Sequence, residues 1–343
     1  MEQVLRRRRR GRSVRPFLER SGITPRGCSR PLQRRISDFG AERSGRSAIA
    51  GLKEHYGIDV PFYSVELITR RIAKETASFN AQQSEPKQKS DVQVTELDGS
   101  MVPIVEFRSA DTVSDAKAKR DKRKRRSCKW SEIRVCTTHD TKRADARYGA
   151  CFGGALEAGL MMEQTCRQAG MDELTRIHGI GDGAPWIAEQ YEKRFGLQGS
   201  FLIDFYHLCE YVAAAASLCV ASDRKEAWIE VQKERLLTNH YQTVIDELAD
   251  HIEPDTVVDE EAPVRKCWRY LTNRTAHLDY RGAREKELPI GSGEVESAHR
   301  HVIQKRLKLP GAWWSPEHAT SMAQMRVNRA NEEWSDFWAQ KAA

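Results

Sequence analysis

Three acidic residues carry the chemistry that the sequence can support. Asp98 follows an alternating apolar stretch, Asp182 lies between two glycines after another, and Glu296 falls in the first turn of a predicted helix. Three carboxylates without a cysteine suit a hard cation such as Mg²⁺ or Mn²⁺, which prefers oxygen ligands and keeps several waters. Two such ions about 4 Å apart can activate an attacking oxygen and stabilise a leaving oxygen. The pattern predicts metal-assisted phosphoryl displacement, and the glycines beside the two aspartates would let a phosphate backbone approach.

Each of these acids also has a simpler explanation. Asp-Gly is among the commonest hairpin turns, so Asp98 and Asp182 each fit plain turn chemistry. Glu296 fits a solubilising residue on a capped surface helix. Glu294 lies two residues away and points to roughly the opposite side, so only one of the two glutamates can face a given site. Because Glu296 shares its face with the polar Arg300, the pattern favours Glu296.

The helix that carries Glu296 belongs to the segment 288–314. Pro289 and the Gly291-Ser292-Gly293 turn open it, and Ser292 is predicted to be an N-cap whose hydroxyl takes an orphan amide of the first turn. The helix is predicted to run to about Lys308 and to end at Pro310-Gly311. An apolar strip on one side is expected to pack on a core, and it consists of Val295, Ala298 and Val302.

The remaining elements predict an α/β fold. Residues 91–107 are predicted to form a hairpin of two strands around Asp98-Gly99. The elements expected after it are a strand at 130–138, a helix at about 144–169, a strand at 174–180, a helix at 185–195 and a strand at 200–204. Three antiparallel strands, helix, strand, helix, strand, joined by right-handed crossovers, describe a ribonuclease-H-like αβα sandwich. Asp98 and Asp182 would then close neighbouring strands.

The predicted sandwich is divided by a helical insertion and preceded by smaller segments. Residues 91–207 and 287–343 would form the two parts of the catalytic domain, and 208–286 the helical insertion, in which the sequence shows no chemistry. The last part is expected to contain a helix at 317–329 and a tail that packs through Trp334 and Trp338.

The N-terminal part of the chain is predicted to contact DNA. Residues 1–47 form a basic segment with little periodicity, and residues 78–90 read as a polar linker. Between them, 48–77 contains two short helices that resemble a helix-turn-helix. The second has Ser64 as its expected N-cap and bears the candidate DNA contacts Arg70 and Arg71. A small packing hairpin of helices fits the same pattern.

Charge and composition favour a nucleic-acid partner. The net charge is +7, but residues 1–50 hold fourteen Arg against four acids (14 − 4 = +10), so the rest of the chain sums to about −3. A second cluster at 117–129 holds nine basic residues against Asp121. Such blocks suit phosphate backbones, and a solvated basic loop is the alternative.

Composition also bears on localisation. The sequence has no run of eighteen apolar residues and no apolar stretch of the kind that follows the charged start of a signal peptide. Its eight cysteines are scattered without a Cys-x-x-Cys pair, as in reduced proteins. A cytoplasmic, nucleoid-associated protein without a membrane segment is expected.

Several ordered motifs resemble one transposase family. The runs PIGSGEVES and HVIQKRLKLPGAWWS are similar to the C-terminal signature of ISKra-type insertion-sequence transposases, which are distant relatives of the Mutator-like DDE enzymes. The runs ELDGSMVP, IGDGAPWI, DFYHLCEYV and SRPLQRRISDFGAERSGRSAIAGLKEHYGI are similar as well. The matches are in order and cover roughly residues 16–338. Six segments at fixed spacing are far more specific than any one motif.

The resemblance implies a site. The DDE triad and its Mg²⁺ (or Mn²⁺) would fall on Asp98, Asp182 and Glu296, and the position of Glu294 varies among such signatures. Asp204 and His207 would be an auxiliary D-x-x-H pair, unless they only cap a helix locally.

DNA contacts follow from the same resemblance. Arg306 and Trp314 match its R-L-K-x-x-G-x-x-W portion, and with Arg300 they are candidate DNA contacts. Trp314 would either stack on a base or be a buried aromatic under the last helix.

The function expected from the resemblance is DNA transposition. Water would attack the phosphodiester at a transposon end, and the freed 3′-hydroxyl would attack target DNA. The partners would be double-stranded transposon ends and target DNA, bound by a homo-oligomer. A metal-dependent DNA nuclease on the same fold, or a non-catalytic DNA-binding protein derived from a transposase, would be the alternatives.

Overall fold

The computed structural model describes residues 28–82, 89–108, 125–141 and 146–342. Contacts divide the chain into two compact units, which we call the helical unit and the sheet unit. The helical unit comprises Met1–Gln82, Pro103–Trp130 and Val302–Ala343, and the sheet unit comprises Gln83–Val102 and Ser131–His301. The division at 302 falls inside the predicted segment 287–343, and 103–130 falls inside 91–207. The functional roles assigned to these segments stay predictions.

The described residues form five strands and fourteen α-helical segments. The strands are β1 Val92–Phe107, β2 Arg126–Asp140, β3 Arg147–Phe152, β4 Arg176–Gly181 and β5 Gly199–Ile203. The helices are α1 Arg30–Glu42, α2 Gly45–Tyr56, α3 Phe62–Gln82, α4 Ala155–Gln168, α5 Pro185–Phe195, α6 Phe205–Cys219, α7 Lys225–Leu237, α8 Tyr241–Ala249, α9 Pro263–Thr272, α10 Tyr280–Glu285, α11 Gly293–Ala298, α12 Lys305–Leu307, α13 Pro316–Ala330 and α14 Trp334–Ala342. A π-helical stretch, His299–Gln304, joins α11 to α12.

The strands form one mixed sheet in the order β3-β2-β1-β4-β5. β2 and β3 pair antiparallel, whereas β1 pairs parallel with β4 and β4 pairs parallel with β5. The predicted α/β class is therefore confirmed. No described helix combines the length and apolar character needed to cross a bilayer.

The hairpin predicted at Asp98-Gly99 is wrong, because residues 92–107 form the single strand β1. A two-residue hairpin turn of type I′ needs positive φ at both central residues, and Gly99 is not among the residues with positive φ. Gly99 instead makes room for a neighbour, since a Cβ there would lie 2.1 Å from Oε1 of Glu132 on β2. The structure still has the predicted number of five strands, because residues 147–152, which were predicted to begin a helix, form β3.

Alternate residues of β1 and β4 face opposite sides of the sheet. On one side, Leu97 and Ile177 share a core with α4 and α5. On the other side, Glu96 accepts a hydrogen bond from the amide of Val295, and His178 Nε2 lies 2.9 Å from the carbonyl oxygen of Pro289. The segment that contains α11 therefore lies on the sheet face opposite α4 and α5.

Gly179 permits the tightest helix–sheet packing on the α5 side. A Cβ at this position would lie 2.2 Å from Cε1 of Tyr191. Tyr191 is buried and donates to the carbonyl oxygen of Thr95 at 2.7 Å, so its ring cannot move aside freely. We expect Gly179→Ala to lower the free energy of unfolding by about 1–3 kcal/mol, the usual cost of overpacking a core. Denaturant unfolding measures it.

Gly293→Ala is the matched control for that substitution. No heavy atom lies within 4 Å of a Cβ built at Gly293, so the free energy of unfolding should change by less than about 0.5 kcal/mol. Equal midpoints for the Gly179 variant and the wild type would contradict the packing argument.

The predicted helical insertion is confirmed as helical in residues 205–285, which form α6 to α10. These helices close around a core of their own that also takes in the end of β5. Its largest members include Leu202, Phe205, Trp228, Tyr270 and Tyr280. The helices of the predicted insertion therefore begin directly after Asp204, the residue that follows β5.

In the helical unit, α3 is longer than predicted. It begins at Phe62, before the expected N-cap Ser64, and it extends through residues 78–82 of the predicted linker. Residues 83–88 of that linker lie outside the described residues. The basic segment 1–47 contains an unpredicted helix, α1, capped by Ser29, while residues 1–27 lie outside the described part.

The C-terminal helices of this unit match their predictions. α13 spans the predicted helix, and the tail forms α14, in which Phe337 and Trp338 are buried. The Phe337 ring contacts that of Phe79 on α3 at 5.7 Å, and Asn80 donates to Gln324 on α13. α3 therefore packs on the C-terminal helices.

Candidate functional site

The strand registers align three aspartates at one edge of the sheet. Glu96 pairs with Ile180, and continuing this parallel register by two residues puts Asp98 opposite Asp182. The β4–β5 register ends at Gly181 opposite Ile203, and the amide of Asp204 still donates to Gly181 at 2.8 Å, so Asp182 stands opposite Asp204. Adjacent strands lie about 4.8 Å apart. An aspartate within β1 and the aspartates that follow the carboxyl ends of β4 and β5 thus stand at the same level.

Two of these aspartates keep carboxylate oxygens for a ligand. Oδ1 of Asp98 accepts from the amide of Gly99 at 2.7 Å, and its side chain remains 40% exposed. Oδ1 of Asp182 accepts from the amide of Ala184 at 2.9 Å. Within the described residues, Oδ2 of Asp182 has no hydrogen-bond partner. Both side chains can therefore take up a further ligand at the edge.

Both carboxylate oxygens of Asp204 accept hydrogen bonds from other residues of the chain. Its Oδ1 accepts from the amide of His207 at 2.9 Å, as an N-cap of α6, and its Oδ2 accepts from both the amide and the hydroxyl of Ser292. The residue is buried. Asp204 therefore caps α6 and anchors the turn that opens α11, while the auxiliary role expected of Asp204 and His207 stays a prediction.

Ser292 occupies the predicted N-cap position, but its predicted role is wrong. Its hydroxyl makes no capping bond within α11 because it donates to Asp204. The orphan amide of Val295 is satisfied instead by Oε2 of Glu96, at 2.7 Å. A carboxylate at a helix N-terminus also meets the positive end of the helix dipole. Buried Glu96 therefore replaces the serine cap.

A third contact ties α11 to the strand edge. His299 follows the last residue of α11 and is buried, with Nε2 3.0 Å from Oδ2 of Asp98. Glu296 lies one turn before His299, so both share the helix face that meets Asp98. Glu296 is exposed, and within the described residues its carboxylate accepts no hydrogen bond. The spacing thus puts Glu296 on the side of the helix from which His299 meets Asp98.

Glu294 lies toward a different part of the sheet. Its charge raises the pKa values of His139 on β2 and Tyr148 on β3. For Tyr148, burial is the larger cause of the raised pKa. The two glutamates therefore face different surroundings, as the helical spacing predicts, and the predicted strip of Val295, Ala298 and Val302 is buried.

Two buried histidines help to hold the segment that carries α11. Burial alone would lower the pKa of His139, but Glu96, whose Oε1 lies 4.0 Å from Nε2, and the hydrogen bond between Nδ1 and the carbonyl of Asp140 raise it above the usual value. Burial lowers the pKa of His178, whose ring nitrogen meets the Pro289 carbonyl, so this histidine is held neutral. Sequence inspection had singled out neither histidine, nor Glu96. His299 could have been identified from the sequence, because it lies three residues after Glu296 and so falls on the same side of the helix.

The described residues contain no group of three His, Cys, Asp or Glu side chains that could hold a metal ion by themselves. Mg²⁺, however, usually keeps several waters and takes only one or two protein carboxylates. One oxygen of Asp182 and the carboxylate of Glu296, which accept no hydrogen bond within the described residues, are of the ligand type that this ion prefers. The donor set is oxygen-rich, and the free cysteines do not lie among these residues.

The predicted DNA contacts in the C-terminal signature need correction. Arg306 and Trp314 are buried: Arg306 Nε donates to the carbonyl of Gly40 at 2.8 Å, and the guanidinium lies 4.7 Å from the centroid of the Trp314 ring. Trp314 Nε1 donates to the carbonyl of Leu307. Burial lowers the pKa of Arg306 to about 10. The pair packs the helical unit and offers no surface to DNA.

Trp314 is therefore the buried aromatic of the two alternatives, and the exposed ring is that of its neighbour Trp313. Its side chain is 49% exposed, and Arg126 lies 5.8 Å from the centroid of one of its rings. Arg126 belongs to the basic cluster 117–129, of which residues 117–124 lie outside the described part. The remaining predicted DNA contacts, Arg70, Arg71 and Arg300, are exposed. Arg70 is paired with Glu66 at 3.0 Å.

Comparison with known proteins shows which chains this one resembles. Residues 162–336 match the model of an uncharacterised protein family, UPF0236. The UPF0236 protein TTE0610/TTE0881/TTE1053/TTE2432 of Caldanaerobacter subterraneus subsp. tengcongensis is 30% identical over 163 residues, which are 47% of this chain and 32% of that protein.

A second relative from the same organism, the UPF0236 protein TTE1650/TTE2708, is 30% identical over 47% of this chain and 30% of its own length. A third, the UPF0236 protein TTE0033/TTE0744/TTE0838/TTE0852/TTE1082/TTE1247/TTE1519/TTE1678/TTE1739/TTE1823/TTE2212, is 28% identical over 47% of this chain and 32% of its own length. The match therefore covers about a third of the length of these curated relatives.

Proposed function

The chain belongs to the uncharacterised protein family UPF0236, and from that premise we propose that it is a DNA transposase of an insertion sequence, with a metal-dependent DDE site at Asp98, Asp182 and Glu296. The observation that carries the proposal is the alignment of Asp98 on β1 with Asp182, which follows the carboxyl end of the adjacent parallel strand β4, together with the contact of His299 with Asp98 on the helix face that also bears Glu296. Ligands of open α/β sheets bind at the carboxyl ends of their strands.

The site chemistry supports phosphoryl transfer. Bound Mg²⁺ or Mn²⁺ would supply Lewis acidity and orient the attacking oxygen at a phosphodiester. Asp98, Asp182 and Glu296 would hold it through their carboxylate oxygens. Glu96 and Asp204 would keep α11 in position, one through the amide of Val295 and the other through Ser292. No covalent intermediate with the protein is needed.

The fold is compatible with a ribonuclease-H-like sandwich. The order of elements in the sheet unit is three strands, helix, strand, helix, strand, followed by the helical insertion and α11. Helices α4 and α5 cover one face of the sheet and the segment around α11 meets the other, as such a sandwich requires. We therefore infer the finer fold from the succession of elements.

Two further observations favour DNA as the partner. The sequence has basic clusters at 1–50 and 117–129, as expected of a protein that neutralises phosphates. One relative carries eleven joined designations from a single organism, which is expected if its gene is copied within a genome. Transposon ends and target DNA, bound by a homo-oligomer, would be the partners.

A strand-transfer assay tests the proposal. The full chain would be incubated with labelled DNA carrying the element's own ends and with target DNA, in Mg²⁺ or in EDTA. Joined products in Mg²⁺ and none in EDTA are expected. Nicked ends without joined products would instead support a metal-dependent nuclease. Sequence-specific binding without chemistry in Mg²⁺ or Mn²⁺ would support a non-catalytic DNA-binding protein.

A further inference from the structure

The helical insertion carries a cationic and aromatic recess that the site described above does not use. The rings of Tyr211 on α6 and Tyr270 on α9 are stacked, with centroids 4.3 Å apart and an interplanar angle of 18°. They form part of a recess of about 280 Å³. It is lined by Tyr211, Lys266, Arg269, Tyr270, Asn273 and Arg274.

The recess is joined directly to the loop that carries Asp182. The Tyr270 hydroxyl donates to the main-chain carbonyl of Asp182 at 2.6 Å, and Nε of Arg274 donates to that of Gly183 at 2.6 Å. The Arg274 guanidinium also lies 4.3 Å from the centroid of the Tyr270 ring. Whatever occupies the recess therefore lies next to the edge at which Asp182 stands.

The charge of the recess is positive and only partly compensated. Arg269 is paired with Asp259 through two hydrogen bonds. Lys266 and Arg274, by contrast, have main-chain carbonyl partners, and within the described residues neither forms an ion pair. None of the described residues that line the recess is acidic. Two cations without a carboxylate partner favour an anionic ligand.

The size of the recess limits what it can hold. Pockets for drug-sized ligands and cofactors begin at roughly 300 Å³ and are mostly apolar, whereas this recess is smaller and lined by cations. A single phosphate group with part of its nucleoside fits both its volume and its charge. Aromatic rings beside cations are also the combination with which proteins follow a nucleic-acid strand.

We propose that this recess binds the DNA strand next to the carboxylate edge, with a phosphate on Lys266 and Arg274 and the adjoining nucleoside against Tyr211. The inference rests on the proposed function, because it takes DNA to be the substrate at Asp182. The helical insertion would then help to position the DNA strand at the site. His207 would contribute to the same wall, since its ring contacts those of Tyr211 and Tyr270 at 5.4 and 6.2 Å.

The first test measures DNA affinity against salt concentration for the full chain by fluorescence anisotropy. Each lost phosphate contact lowers the slope of log affinity against log salt by about 0.9 on duplex DNA. Lys266→Ala is expected to lower the slope by that amount and to weaken binding equally on different sequences. Arg224→Ala is the control, because Arg224 is exposed on the same insertion but does not line the recess. It should leave the slope unchanged.

The second test reports contact with a nucleoside. A 2-aminopurine placed beside the cleavage point is expected to lose fluorescence when the wild type binds, because an aromatic ring contacts it. Tyr211→Leu should abolish this loss and Tyr211→Phe should retain it. A merely structural role of Tyr211 would not separate the two variants in this signal.

The outcomes distinguish this inference from the proposed function. If the wild type binds and joins DNA ends while the Lys266 variant keeps the wild-type slope, the inference falls and the function stands. If the wild type binds no DNA at any salt concentration, both fall together.

Discussion

Asp182→Asn is expected to abolish cleavage and joining of transposon ends while leaving DNA binding unchanged. Asn keeps the size of the side chain and the oxygen that accepts from the amide of Ala184, so the loop should keep its shape. It removes the negative charge and one oxygen from the edge that faces Asp98. A bound metal ion stabilises the charge of the transition state by several kcal/mol, which is lost when a missing carboxylate releases the ion, and each 1.36 kcal/mol is tenfold in rate. We expect a loss of at least about 10³-fold.

Single-turnover strand transfer in Mg²⁺ measures this loss, with anisotropy as the binding control. Glu296→Gln should behave as the Asp182 variant does. Glu294→Gln should keep wild-type rates within about threefold, since Glu294 lies toward His139 and Tyr148 and a change below about 0.7 kcal/mol is small against 10³-fold. Undiminished joining by Asp182→Asn, or equal losses in both glutamate variants, would contradict the assignment of the triad.

Asp204→Ala is expected to destabilise the fold by about 2–4 kcal/mol. The substitution leaves three donors without their acceptor, the amide of His207 and the amide and hydroxyl of Ser292. A buried donor left unsatisfied costs roughly 1–3 kcal/mol, and bonds to a charged group lie at the upper end. The turn before α11 would also lose its anchor, so joining should fall although Glu296 is intact.

Denaturant unfolding of the full chain measures the change in free energy of unfolding. Ser292→Ala is the matched control, because it removes one donor and leaves no new buried group unsatisfied. It should cost at most about 1.5 kcal/mol, the usual worth of one hydrogen bond. An Asp204→Ala protein as stable as Ser292→Ala would show that the contacts of Asp204 do not hold the turn.

The local elements were largely predictable, because their signals lie within a few residues of each other. The apolar strip of α11 has helical spacing, and its three members are buried. Proline or glycine marks the starts of α5 and α13 and the end of α2. One local failure is Asp98-Gly99, a common turn pair that lies inside β1, where a Cβ at Gly99 would lie 2.1 Å from Oε1 of Glu132 on the neighbouring strand.

The C-terminal signature shows that a sequence motif does not tell whether its residues are exposed. Arg306 and Trp314 have the residue types of a DNA contact, yet they stack on each other in the interior. The exposed ring is that of the neighbouring Trp313. A motif specifies residue types and spacing, but exposure depends on which chain segments cover them, and Gly40, which accepts from Arg306, lies 266 residues away in sequence.

The sequence by itself determined most of the element types, the spacing of Asp98, Asp182 and Glu296, and the separation of the two glutamates onto different sides of one helix. These depend on the periodicity of neighbouring residues. Only the tertiary structure decided that Asp98, Asp182 and Asp204 stand level on three strands, that Asp204 anchors Ser292, and that Glu96 caps α11. Such contacts join residues up to 199 positions apart. Strand register and burial are set by the packing of the whole unit, which no local pattern contains.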